Sequence, residues 1–449
     1  MRQTVDVDVV LDGGALRGLT LLVSICTATI LILDGLDVQV IAFAAPDLLK
    51  EFGIERAALG PVLSASLIGM AFGAFGLGAI GDRRGRRPTV LAGAFLFAVA
   101  TLLAATSSTL NQLVTWRFIT GLGLGGVLPN ATALMAESAP PRWRSQLVAA
   151  TIVGVPVGGM IGAEIAGTVI PTQGWRAMFV IGGVLPLIAV AVMYFVLPES
   201  PRFLAARGGR PRELAALLNR YRGRSEFAES DEFVLRSAAQ VRGLAAIFRP
   251  EFARDSAALW LIFLTNLFSV YAFFSWTPTI LTSLGLDLSA GLRGSFWFNF
   301  AGVAGTVASS WLISHRGSRA PLLVQGLLGV IALLWLASIV RGGQASGGAI
   351  SIGSLMFGFA LAGIAITALQ VGAYTVAAYV YPTECRSSGV GWAAGVGRLG
   401  GILSAFSSGL LLSRFGGAGF FVAIAIVIGV TLTGVLLIRR HIPPDSSRR

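Results

Sequence analysis

The chain has 449 residues, 55% of them hydrophobic and only 12% charged, about half the charged share of an ordinary soluble domain. With a mean hydropathy of +0.77 it cannot build a water-soluble surface, which excludes a soluble multi-domain enzyme, a disulfide scaffold and a disordered protein. The formal charge is +12, with Lys50 the single lysine among arginines, and where those charges fall bears on topology and not on nucleic acid.

Apolar stretches bounded by charges or by Pro and Gly fall near 19–42, 57–80, 88–108, 111–136, 145–170, 176–197, 256–282, 291–314, 320–340, 348–380, 388–412 and 418–438. Each approaches the ~20 residues that cross a bilayer as a helix. The fold expected is an all-α integral membrane protein with twelve transmembrane helices in two pseudo-symmetric six-helix halves. The halves are 1–197 and 256–449, the second ending in a short tail, joined by a polar connection over 198–255. The 57 glycines suit helices that approach closely in lipid.

Span 1 holds Asp34 and Asp37 and has no clear small-x-small cleavage site, so it reads as a retained span and not a signal peptide. A spacing of three puts both carboxylates on one helical face, where mutual repulsion and partial desolvation raise at least one pKa, as proton-coupled uptake requires. The alternative is that one of them merely bonds a neighbouring helix. Between spans 2 and 3 lies a basic turn, Gly81-Asp-Arg-Arg-Gly-Arg-Arg-Pro88. Arg117 sits in span 4, followed by glycines that permit close packing, and its guanidinium suits either a span 1 aspartate or a substrate carboxylate. Glu137 ends span 4 ahead of Arg144, and Glu384 precedes Arg386; both read as cytoplasmic-end pairs that hold helices in one conformation. Glu164 in span 5 is an isolated carboxylate, either a second proton site or part of an outer vestibule.

The connection carries eleven arginines among many acidic residues and belongs in water. Within it, residues 211–221 form a short amphipathic helix expected to lie along the membrane surface. Aromatics gather in the second half: Tyr271, Phe273, Phe274 and Trp276 in span 7, then Phe296, Trp297, Phe298 and Phe300 in span 8. They serve either as lipid-facing bulk or as stacking partners of an aromatic ligand, and Trp276 is taken as a substrate contact. Asn266, Asn299 and Gln370 are intramembrane polar groups that contact either ligand or a neighbouring helix. Arg398 in span 11 is the second buried arginine, and two arginines on a central path suit an anion better than a neutral sugar. Cys26 and Cys385 match no metal or redox spacing and read as small packing residues.

Counting Lys and Arg in alternate loops, with the long connection left out, gives fifteen on the side of the termini and six on the other. Both termini and the connection are therefore expected in the cytoplasm, with anionic membrane lipid attracted as a by-product and no nucleic-acid partner. No nucleophile–base pair, His/Cys metal cluster or phosphate-cradling loop is present, so neither an enzyme nor a cofactor is expected.

The halves echo one another. The basic turn at 81–88 is answered by Ser314-His-Arg-Gly-Ser-Arg-Ala-Pro321, where His315 stands in the acidic position. Gly154-Val-Pro-Val-Gly-Gly159 after Arg144 is answered by Gly395-Val-Gly-Arg-Leu-Gly-Gly401 after Arg386. Such repeats mark transporters with a site near the middle of the membrane. The turn at 81–87 resembles the signature loop of the major facilitator superfamily. Asp34-Gly-Leu-Asp37, the run 121–130, the run 154–159 and Tyr381-Pro-Thr-Glu-Cys-Arg-Ser-Ser-Gly-Val-Gly391 together resemble its aromatic acid:proton symporters, while Pro198-Glu-Ser-Pro-Arg-Phe-Leu204 also resembles the sugar-porter branch. The resemblance implies that Asp34 and Asp37 are needed for transport and that Arg117 and Arg398 lie on the route. It also implies that Asp82 with Arg83, Arg86 and Arg87 forms an interdomain latch against a neighbouring helix end.

The function expected is import of a small aromatic acid with protons through a bacterial inner membrane, by a protein that works as a monomer. A carrier of another organic anion, nicotinate or shikimate for instance, or of a sugar, fits many of the same features, as does a transporter-like receptor.

Overall fold

The computed structural model describes residues 3–12, 18–235, 249–346, 350–381 and 385–444. Its elements in chain order are β1 (Thr4–Asp6), α1 (Val7–Asp12), α2 (Leu19–Phe52), a 3-10 turn (Arg56–Ala58), α3 (Leu59–Arg84), α4 (Arg86–Ala105), α5 (Leu110–Ser138) and α6 (Pro141–Val196). They continue with α7 (Pro201–Arg207), α8 (Pro211–Arg222), β2 (Glu232–Val234), α9 (Pro250–Ser283), α10 (Leu288–Arg316), α11 (Arg319–Ser346), α12 (Ile352–Val380) and α13 (Arg386–Leu437). Among the described residues ten stretches are long and apolar enough to cross a membrane. Two of these, in α6 and α13, are each a pair of helices joined at a glycine, Gly174 with φ 78° and Gly416 with φ 65°. A residue with positive φ interrupts a helix at little cost only where no Cβ is present, so a single glycine separates each pair. α2 runs ten residues beyond the expected end of span 1, through Pro46.

The chain forms two compact units. The first comprises Met1–Asp37, Ile68–Gly158 and Phe179–Ala239. Its helices meet through glycine: a Cβ at Gly35 of α2 would overlap the Val155 carbonyl of α6, and one at Gly158 would overlap the Ile32 carbonyl. At Gly125 it would overlap Met70 of α3, and at Gly123 the α4 backbone around Gly93 and Phe97. Backbones this close gain dispersion contact along their length, the main attraction between helices in lipid.

The first unit also holds a small apolar core built on the start of α2 and the segments beyond the spans. Val5, Val7, Val10, Leu11 and Leu19 bury against Leu204 of α7 and Leu214, Leu217 and Leu218 of α8. β1 pairs in parallel with β2, Thr4 opposite Glu232 and Val5 opposite Phe233, and Arg202 Nε bonds Asp8 at 2.9 Å. This corrects the expectation for α8: its apolar face is covered by the N-terminal arm and α7, because burying those leucines under protein removes them from water without needing the lipid surface.

The second unit comprises Val38–Leu67, Gly159–Met178 and Gln240–Arg449. Its centre is aromatic: Phe273 of α9 stacks on Phe298 of α10 at 4.7 Å and meets Phe359 of α12 edge-on at 5.7 Å and Phe421 of α13 at 6.3 Å. Part of the aromatic run expected to face lipid or ligand is thus helix-packing core, while Trp297 and Phe300 are exposed. Cys26 and Cys385 are buried and form no disulfide among the described residues.

Candidate functional site

In the first unit, Asp37 of α2 and Arg117 of α5 are both fully buried. Arg117 Nη1 donates to Asp37 Oδ2 at 3.0 Å and Nη2 to the Asp37 carbonyl at 3.3 Å. Thr101 of α4 donates its hydroxyl to Asp37 Oδ1 at 2.6 Å and lies 3.4 Å from the Thr120 hydroxyl. The Phe179 ring lies beneath the guanidinium, 6.0 Å from centroid to Cζ. Arg117 Nε is buried with no hydrogen-bond partner among the described residues. Asp34, one turn earlier on α2, is 2% exposed. Of the two partners the sequence offered Arg117, the structure thus selects the span 1 aspartate. Isolated charges in hydrocarbon cost several kcal/mol, about 2.5–3.5 on insertion scales, and pairing with added hydrogen bonds offsets part of that penalty.

In the second unit, Asn266 of α9 donates Nδ2 to the Ile366 carbonyl at 3.2 Å and to Gln370 Oε1 of α12 at 2.8 Å. A carbonyl cannot donate, so Ile366 fixes which end of the Asn266 amide faces it. Asn266 Oδ1 and Gln370 Nε2, an acceptor and a donor, are then left buried without a partner among the described residues. Tyr374, one turn beyond Gln370, packs edge-on against Phe263 at 4.8 Å and lies within electrostatic reach of Arg398 of α13, which is half-buried.

The remaining expected residues fall elsewhere. Asn299 is held by Gln39 in a reciprocal amide pair at 3.0 and 3.4 Å. Trp276 is fully buried against α13 at Gly409, its Nε1 unpartnered among the described residues. Glu164 is exposed and takes no part in the Asp37–Arg117 cluster. Of the arginines in the basic turn, only Arg86 is ion-paired among the described residues, with Asp82 at 2.5 Å and Glu137 at 3.3 Å, all inside the first unit. Arg87 Nη2 bonds the Tyr194 carbonyl at 2.5 Å, and Arg83 is exposed. Glu137 is therefore engaged by Arg86, while Arg144 reaches the Ala139 carbonyl at 3.5 Å. Glu384 lies outside the described residues, and Arg386 begins α13. His315 bonds the Trp311 carbonyl and Ser314.

Beside the turn, Glu199 caps α4 from a distance: Oε1 accepts from the backbone N–H groups of Arg86, Arg87 and Ser200 at 3.0, 3.1 and 2.9 Å. Burial pushes its carboxyl above the usual range, opposed by those three donors. Gly85, with φ 116°, leaves room for the carboxylate where a Cβ would meet it.

A buried carboxylate–guanidinium pair inside a polytopic helical protein marks a functional site in the membrane, and the family and relatives that the chain matches make it a membrane transporter, not an enzyme. The family model described as Major Facilitator Superfamily matches residues 27–346, and the chain belongs to that family. It is 35% identical over 385 residues to the 4-hydroxybenzoate transporter PcaK of Pseudomonas aeruginosa, covering 85% of this chain and 84% of that one. It is 32% identical over 411 residues to a gallate transporter of Pseudomonas putida, covering 91% and 89%. Among solved structures, the xylose transporter XylE of E. coli, in a partially occluded inward-open conformation, matches with a TM-score of 0.74 at 16% identity, covering 94% of this chain and 98% of that one; this likeness is one of fold.

Proposed function

We propose that the protein imports a small hydroxylated aromatic carboxylate by proton symport across a bacterial inner membrane, with both termini in the cytoplasm. The observation that carries this reading is the buried Asp37–Arg117 pair. When Asp37 takes a proton its bond to Arg117 weakens, and the freed guanidinium binds the substrate carboxylate in its place. The site then holds one positive and one negative charge before and after the exchange, so no lone charge stands in the membrane. Asp34 supplies a second carboxylate on the proton route, Arg398 a second guanidinium for the anion, and the ion pairs around Arg86 a cytoplasmic latch.

The amide pair in the second unit supports a hydroxylated substrate. A phenolic hydroxyl donates to Asn266 Oδ1 and accepts from Gln370 Nε2, satisfying both groups at once. A carboxylate or a bare ring edge leaves the acceptor unsatisfied. The relatives that transport 4-hydroxybenzoate and gallate agree with this chemistry.

The test is accumulation of labelled 4-hydroxybenzoate in energised right-side-out vesicles. Wild type concentrates it, a protonophore abolishes the gradient, and Asp37→Asn binds without concentrating. Accumulation that survives both treatments overturns proton coupling through Asp37.

A further inference from the structure

Among the described residues only one arginine of the basic turn is used in ion pairing, which leaves Arg83, Arg84 and Arg87 to be accounted for. These three, with Arg207 at the end of α7 and Arg210 at the start of α8, line a cavity of about 760 Å³ within the first unit. Arg83, Arg84 and Arg207 make no ion pair with any described residue; Arg207 only lies over the Phe203 ring at 5.9 Å. Arg87 is tied to a carbonyl and an aromatic face, with Nε buried and unpartnered among the described residues. Two carboxylates share the lining: Glu213 reaches Arg210 at 3.5 Å, and Glu199 is occupied by backbone N–H groups. At the mouth, α8 begins at Pro211 with no side-chain cap on its first N–H groups, which adds positive potential.

We propose that this cavity binds a phosphate-bearing anion. Five guanidiniums against two engaged carboxylates exceed what one aromatic carboxylate would neutralise, and the planar fork of arginine matches phosphate oxygens in pairs. A topological bias alone asks for basic loops but not for their convergence on one cavity. The phosphate reaches it either as the headgroup of an anionic phospholipid or as a soluble phosphate compound.

The experiment uses the purified full-length protein. Hydrogen exchange across residues 207–214 is followed in detergent with inorganic pyrophosphate, and in nanodiscs of phosphatidylcholine with and without phosphatidylglycerol. The same titrations are run on Arg84→Gln/Arg207→Gln/Arg210→Gln and on a control of equal charge loss outside the cavity, Arg220→Gln/Arg316→Gln/Arg439→Gln. Protection of the wild type and of the control, with affinity at least about tenfold weaker in the cavity variant, upholds the proposal. Pyrophosphate protection identifies a soluble source, and protection by phosphatidylglycerol alone a lipid. Absence of protection in the wild type by either probe overturns it without recourse to a variant, as does equal weakening in the two variants.

Discussion

Thr101 makes one of the two side-chain contacts on the Asp37 carboxylate found among the described residues. Replacing it with Val leaves a buried charged acceptor short of a donor, and we expect Thr101→Val to lower stability by about 1.5–3 kcal/mol and to depress uptake, with Thr101→Ser restoring both. Thermal unfolding in detergent and vesicle uptake of the three proteins check this. Asp37 and Arg117 are legible in the sequence because a charge among apolar residues needs a partner. Thr101 and Thr120 are not, since a hydroxyl in a membrane helix ordinarily bonds its own backbone, as Thr120 also does with the Trp116 carbonyl at 2.9 Å. Asn299 shows the converse: its polarity is plain in the sequence, but its partner, Gln39, lies 260 residues away.

At the scale of the element, the apolar face of α8 follows from its periodicity, but what covers that face does not. A strand of three residues at the start of the chain is too short to show alternation, so its partnership with β2 carries no local signal. The C-terminal tail is a similar case. His441 bonds Ser318 at 3.0 Å, and Ser318 exchanges hydrogen bonds with Ile442 across the turn between α10 and α11. Burial, aided by the charge of Arg319, holds the His441 pKa below its usual value. A group whose folded pKa is depressed favours docking above its unfolded pKa of about 6.5 and loses that contribution as pH falls through the folded value. The protection factors of the amides at 438–442, which correct the exchange rates for their intrinsic pH dependence, should therefore fall on acidification below about pH 6.5, and His441→Gln should remove the dependence.

For the whole molecule, the hydropathy pattern and the paired motifs of the two halves made the family legible, because membrane insertion constrains every span alike. The substrate is less so, since a hydroxyl reader requires knowing which atoms of Asn266 and Gln370 stay unbonded. Leaving a buried polar group unsatisfied costs about 1–3 kcal/mol, so we expect 4-hydroxybenzoate to outcompete benzoate by about tenfold in uptake by the wild type. Gln370→Leu should bring the two towards parity, measured by competition against labelled substrate. Equal competition by both acids in the wild type would remove the hydroxyl reading while leaving carboxylate transport in place.

The pairing of Thr4 with Glu232 sets an order on biogenesis. Residues of β1 must wait for a partner made more than two hundred residues later, roughly 10–45 s at ordinary elongation rates. During that interval Val5, Val7, Val10 and Leu11 lack the cover of their later partners, so this segment is a target for chaperones and proteases until translation has passed β2. An insertion between α8 and β2 would lengthen that exposure and lower yield, whereas one placed after β2 would leave the timing unchanged.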